Sequence, residues 1–309
     1  MTKAAPLPWT HALLALAVMA VWGTNFVVIR IALQHLPPLL LAALRFTLVV
    51  APAILFVKRP AVPWRRLAAY GLLIGAGQFG LLFIAMRTQI SPGLASLVIQ
   101  TQVFFTIGLA MWITRERVRA YQGLALVLAF AGLGVILAHA GKGSATPAGL
   151  ALVLLAALCW AGGNAVARAS GKVDVLAYVV WSSLFAAPPL LALSLIFDGW
   201  PAIRAGLAQA DAATWAAVAW QAVGNSLFGY AAWAWLLARH PAATITPMAL
   251  LVPVFGMAAS ALWLGEPLPP WKLAAAALIM SGLALNLAWP ALRARLFAPA
   301  SVDSASAGP

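Results

Sequence analysis

The chain is poor in charge, and poorest in negative charge. Only 6 of its 309 residues are Asp or Glu, and charged residues of both signs make up 8%. A soluble domain carries about a quarter, so there is too little charge here to coat a water-facing surface. Cysteine is nearly absent. The one thiol, Cys159, has no partner for an intrachain disulfide and leaves no CxxC metal or redox site. Histidine is scarce too: His11, His35, His139 and His240 stand apart, with no HExxH and no paired His. There is no DxxD pair and no nucleotide-binding loop. These gaps argue against a metal or other cofactor, against ATP drive, and against the clustered acid–base chemistry of a membrane-embedded enzyme.

What is present is apolar. Hydrophobic residues make up 64% of the chain, in Ala- and Leu-rich runs about 20 residues long, the length of a membrane-crossing helix. In lipid every backbone N–H and C=O must be paired, which only helices and closed barrels achieve. A barrel strand alternates over about ten residues, and these runs do not. The predicted fold class is therefore all-α: a polytopic membrane protein with ten transmembrane helices over 10–33, 38–57, 66–86, 92–113, 119–138, 147–168, 174–197, 212–237, 242–264 and 270–289. Connections are short except 198–211, which has room for a small external element. Lys3 precedes the first run and no small-x-small cleavage site follows a short apolar core, so that run reads as a retained anchor.

Loop charge orients the bundle. With the N-terminus inside, the inner set is Lys3, Lys58, Arg59, Arg65, Arg66, Arg115, Arg117, Arg119, Arg168, Lys172, Arg239, Arg293 and Arg295. The outer set is Arg87, Lys142, Arg204 and Lys272. Both termini are expected to be cytoplasmic, with 293–309 a disordered tail. The net charge of +13 does not indicate nucleic acid, because the basic residues sit in short clusters between apolar runs.

The halves repeat. Trp22 and Asn25 in the first span match Trp160 and Asn164 in the sixth. Pro92 opens the fourth as Pro241 opens the ninth, and Glu116 and Glu266 follow those two spans. Five spans per repeat is an odd number, so the second copy must enter the membrane from the opposite side, as in many secondary transporters. The expected division is 1–140 for the first repeat and 141–292 for the second.

The order WGTNFVVIR, LRF, PGLASLVIQTQVFFT and RER, followed by WAGGNAVAR, VVWSSL, TPMALLVPVFGMAASALWLGE and LIMSGLALNL, resembles the EamA family of the drug/metabolite transporter superfamily. The likeness covers roughly 10–290. It implies ten helices, cytoplasmic termini, a bacterial inner membrane, and export of small amino-acid metabolites of the cysteine and O-acetylserine kind. A broader exporter of aromatic or amphipathic compounds is the alternative, favoured by 14 Trp.

A carrier must offer polar cargo partners near the midplane, so intramembrane polar residues are the candidates. Arg45 has two readings: it attracts a substrate carboxylate, or it caps carbonyls of a neighbouring helix. Arg30, near a span end, reads as a snorkelling anchor. Gln78, Gln100 and Gln102 line the pathway or bond between helices. Positions two apart on a helix face about 200° apart, so Gln100 and Gln102 are not expected to share one cavity, and spacing groups Gln102 with Thr106. Asn25 and Asn164 meet near the pseudo-twofold axis, with Trp22 and Trp160 as cavity walls, or else these four close the packing between halves. Trp181, Asn225 and Tyr230 complete the candidate set. Pro247 and Pro253 are candidate hinges, because each frees a carbonyl four residues back. Gly123, Gly132, Gly134 and Gly282 are expected to allow close helix packing, with a homodimer as one use of the late spans. Glu116 and Glu266 read as helix-end residues, and no acid or His is left at mid-depth to carry a proton.

Overall fold

Proline and short polar side chains set where each helix begins. Pro38, Pro92 and Pro147 stand at the starts of their helices, where the missing N–H costs nothing. Thr146, Asp174 and Asp211 cap the helices that follow, each side chain accepting from a backbone N–H three residues on. Gly265, with φ 65°, closes a helix in the left-handed conformation.

The computed structural model describes residues 7–114, 119–141 and 143–296. Lys3, Arg115, Glu116, Arg117, Lys142 and residues 297–309 lie outside the described residues; of the expected 293–309 tail, 293–296 continue the last helix. The elements are α1 (Trp9–Ala32), α2 (Pro38–Ala53), α3 (Trp64–Thr88), α4 (Pro92–Trp112), α5 (Ala120–Ala138), α6 (Pro147–Ala169), α7 (Val175–Asp198), α8 (Trp200–Gln209), α9 (212–239), α10 (Thr246–Leu264) and α11 (Pro270–Leu296). Eight of these are long and apolar enough to cross a membrane, and α2 is a shorter apolar helix. The helix α8 fills the 198–211 connection. Among the described residues the only β pairing is an isolated bridge, Ile90 to Ala145, between two loops.

The helices pack in a definite set of pairs. The closest are α1 with α10, α4 with α6, α3 with α6, α3 with α7, α1 with α9, α2 with α7, α4 with α10, and α5 with α11. Small residues allow the tightest approaches. A methyl group added at Gly282 would lie 2.6 Å from the Ala125 carbonyl oxygen, and one at Gly132 would lie 2.7 Å from Ile279. Gly123 and Gly134 have nothing within 4 Å; they face outward and tighten no contact here. Large apolar side chains such as Leu124, Val127, Phe130, Leu262 and Trp263 are exposed. Water would penalise that surface, and lipid would not.

Candidate functional site

Four helices depart from regular α geometry near the middle of the bundle. A π turn runs over Leu72–Gly80 in α3 and another over Gln221–Phe228 in α9. A 3₁₀ turn occupies Ile99–Thr101 in α4, and a second, Thr246–Leu250, opens α10. Such irregular turns re-aim side chains and free backbone groups. Here they carry Gln78, Asn225, Gln100 and Ala249, all on the wall of one cavity of about 1200 Å³.

The cavity is lined by Trp22, Asn25, Gln78, Gln100, Gln102, Trp160, Asn164, Asn225 and Tyr230, with Phe26, Phe79, Trp233 and Trp235 among its apolar walls. It runs from this amide layer to the 171–175 connection, where Gly171, Lys172 and Asp174 are exposed. Gln100 and Gln102 both reach it, against the expectation that only one would. The 3₁₀ turn beside them winds about 120° per residue instead of 100°, which brings positions two apart closer together around the axis. The Gln102–Thr106 grouping is present: Thr106 Oγ1 donates to Gln102 Oε1 at 3.3 Å, and Asn164 Nδ2 donates to the same oxygen at 3.0 Å.

Two candidates lie elsewhere. Arg45 is 1% exposed and sits behind the wall. Its guanidinium donates to Gln221 Oε1 at 3.2 Å, to Asn225 Oδ1 at 2.8 Å and to Ser226 Oγ at 3.1 Å, and its Cζ stands 3.8 Å from the Phe79 ring centre. Trp181 donates to the Val57 carbonyl at 2.9 Å and packs near Trp64, at the end of the bundle. Of the prolines, Pro247 lies in the 3₁₀ turn and Pro253 is buried near the start of the helix that follows. The carbonyl that Pro253 frees, Ala249 O, accepts from Gln100 Nε2 at 3.3 Å. That carbonyl joins α10 to α4.

A second polar cluster closes the opposite end. Glu266 accepts from Ser91 Oγ, Ser260 Oγ, the Gly93 backbone N–H at 3.0 Å and Lys272 Nζ at 2.8 Å. Side-chain exposure is 1% for Lys272 and 8% for Glu266. Burial raises the Glu266 pKa, but the Lys272 ammonium and the two hydroxyls outweigh it and hold the carboxyl below its usual range. Gln221, Ser226 and the partners of Glu266 were not among the sequence candidates. The Gln221–Asn225 spacing of four was a usable signal, since it puts both on one helix face. Among the described residues no group of three or more His, Cys, Asp or Glu converges to hold a metal.

The family profile described as "EamA-like transporter family" matches the chain twice, over residues 9–138 and 147–288. The chain belongs to that family. EamA-like proteins are multi-pass membrane transporters, and this chain is a transporter of small molecules, not an enzyme. It is 43% identical over 279 residues to a protein of Salmonella typhimurium named "Probable amino-acid metabolite efflux pump", covering 89% of this chain and 93% of that one. The Escherichia coli protein of the same name is 41% identical over the same shares. A "Probable terminal-alkyne amino-acid exporter" of Streptantibioticus cattleyicolor is 28% identical, covering 85% of this chain and 89% of the relative. One crystal structure superposes with TM-score 0.61 at 20% identity, over 94% of this chain and 99% of that one, a likeness in fold alone.

Proposed function

We propose that this chain exports small amino-acid metabolites such as cysteine, O-acetylserine or close relatives across a bacterial inner membrane, by alternating access around the amide-lined cavity. One observation carries the reading. A cavity about 1200 Å³ in volume is ringed by Asn and Gln amides at the level where four helices are irregular. Polar groups there would be costly facing lipid, and they suit a polar cargo. Among the described residues, apart from Asp174 at the mouth, no carboxylate or histidine lines it. The names of the 43% and 41% identical relatives support the cargo class.

The architecture under this reading is ten spans in two inverted repeats. Exchanging α1 with α6, α2 with α7, α3 with α9, α4 with α10 and α5 with α11 maps each of these pairs onto a pair that is also in contact, α3–α7 onto the looser α2–α9. The π turns of α3 and α9 exchange as well, and so do the 3₁₀ turns of α4 and α10; a third π turn, Ser194–Asp198 at the end of α7, has no counterpart in α2. The double family match, 9–138 and 147–288, supports the same division. The cavity mouth at 171–175 belongs to the Lys- and Arg-rich end, which loop charge places in the cytoplasm. The conformation is then open to the inside and closed outside by the Glu266 cluster.

A second reading has its own observation. The cavity exceeds what cysteine needs, and Trp22, Trp160, Trp233, Trp235 and Phe26 wall it, which favours a broader exporter of aromatic or amphipathic metabolites. Uptake of labelled cysteine and O-acetylserine into inverted vesicles tests the first reading. Accumulation of either, above vesicles lacking the protein, is expected; transport of neither overturns that cargo. Competition of that uptake by tryptophan as strongly as by unlabelled cysteine would favour the second reading.

A further inference from the structure

We propose that Arg45, although outside the cavity, is a positioning residue that turns Asn25 and Asn225 into a subsite for a carboxylate. The inference rests on the amino-acid reading above and assigns the residues that would recognise the cargo.

A guanidinium has only donors, so each side-chain atom it bonds must be an acceptor. Arg45 therefore fixes the Asn225 amide with Oδ1 toward the guanidinium and the Gln221 amide with Oε1 toward it. Gln221 must then aim its Nε2 elsewhere, and it donates to Asn25 Oδ1 at 2.7 Å. Both wall amides thus have their oxygen engaged. Each has its Nδ2 left over on the cavity side, since Asn25 and Asn225 line the cavity while Gln221 is fully buried. Two amide NH₂ groups facing one cavity make a donor pair. Gln100 is fixed in the opposite sense. One N–H of its Nε2 goes to the Ala249 carbonyl, which can only accept, so its Oε1 is the acceptor left for a ligand.

Charge strengthens the assignment. Among the described residues no carboxylate lies within ion-pair distance of Arg45, the only such pairs being His35–Asp211 and Lys272–Glu266. A buried cation held only by neutral oxygens and the face of the Phe79 ring, with no carboxylate against it, is poorly compensated. Its field acts through Asn225 and Gln221 on the donor pair. A carboxylate bound there would complete the compensation, and an ammonium would go to Gln100 Oε1.

The test uses purified protein in detergent and three stable probes. S-methylcysteine carries both charged groups, 2-(methylthio)ethylamine lacks the carboxylate, and 3-(methylthio)propanoate lacks the ammonium. Ligand-induced thermal shift and equilibrium dialysis measure each Kd. Asn225→Asp keeps the oxygen that faces Arg45 and replaces the NH₂ by oxygen. S-methylcysteine should bind that variant about tenfold more weakly, the loss expected for one charge-assisted hydrogen bond, and 2-(methylthio)ethylamine should become the preferred probe. Arg45→Lys should lower the preference for S-methylcysteine over 2-(methylthio)ethylamine, and Arg45→Gln should lower it further. A purely structural Arg45 would lower Tm in both variants and leave that preference unchanged. Unchanged probe ranking in Asn225→Asp overturns the subsite even if S-methylcysteine binds the wild type. Wild-type protein that binds none of the three overturns the subsite and the amino-acid reading together.

Discussion

At the residue scale, one atom of clearance decides which small residues matter. Gly123 and Gly282 both look like packing glycines in a sequence of this composition, yet their surroundings differ. A methyl group at Gly282 would meet the Ala125 backbone oxygen at 2.6 Å, whereas at Gly123 it meets nothing within 4 Å. A backbone oxygen cannot swing aside, so α5 and α11 would have to separate. Gly282→Ala should destabilise by about 1–3 kcal/mol, the usual range for overpacking. Gly123→Ala should be neutral or slightly stabilising, through helix propensity. Thermal unfolding of the two variants in detergent checks the pair, and equal Tm values would mean that the α5–α11 contact is looser than described. Arg45 teaches a related lesson. Its depth in an apolar run was plain from the sequence, and so was the choice between cargo and a neighbouring helix. Nothing in the sequence could show that the neighbour is the Gln221–Ser226 turn, because that contact spans some 180 residues.

At the element scale, the helices were legible because lipid imposes length and hydropathy directly on sequence, although among the described residues eight of the ten predicted spans are long and apolar enough to cross, 38–57 and 212–237 being the two that are not. The predicted and observed boundaries agree within a few residues for most of them, and the long 198–211 connection does hold a helix. The π and 3₁₀ turns were not legible. A π turn needs only one extra residue in a helix, and no residue type announces it. That is why the mutual exclusion of Gln100 and Gln102, argued from regular 100° steps, failed where the helix tightens. The same geometry makes a prediction. Deleting Ala76 should convert the Leu72–Gly80 turn to regular α-helix and rotate Gln78 by about 100° about the axis. Gln78 is 4% exposed, and among the described residues its side chain makes no hydrogen bond to protein, so the helix loses little by turning it away. The variant should fold, with Tm near that of the parent, and should lose most transport in the vesicle assay. Transport at the parental rate would show that the π turn does not position a cargo contact.

At the scale of the whole molecule, the two ends of the bundle are unlike. One carries the cavity mouth, and the other is shut by a carboxylate that ties the start of α4 to the end of α10 and the start of α11. Sequence placed Glu266 and Lys272 among outer loop charges. The chain's return buries both, and a pair six residues apart looks like ordinary helix-end polarity until the α4 serine and backbone N–H join it. Removing Glu266 alone strands a buried ammonium. Glu266→Ala should cost about 3–5 kcal/mol, and adding Lys272→Met should recover much of it. The carboxyl's folded-state pKa is depressed. Its contribution is therefore fully present above the unfolded value near 4.3 and is lost as pH falls through the lower folded value. Thermal unfolding followed across that acid limb should show the loss in the parent and not in Glu266→Gln.

Under the proposed alternating access this cluster must part once per cycle, which links its energetics to conformation. Ser96 lies fully buried at the α4–α10 contact, one turn inward from Ser91 and Gly93, against Gly256. In a Cys159→Ser background, Ser96→Cys should resist a membrane-impermeant maleimide applied from outside while the cluster is intact. Glu266→Gln removes the charge that holds Lys272, Ser91 and Ser260 together, so the outward-open population should rise and the thiol should label. Added substrate should change that labelling, because a ligand shifts the equilibrium only by its differential affinity for the two states. If the thiol stays silent in Glu266→Gln, helix packing alone holds the outer end shut, and the ionic cluster serves stability without setting the direction in which the cavity faces.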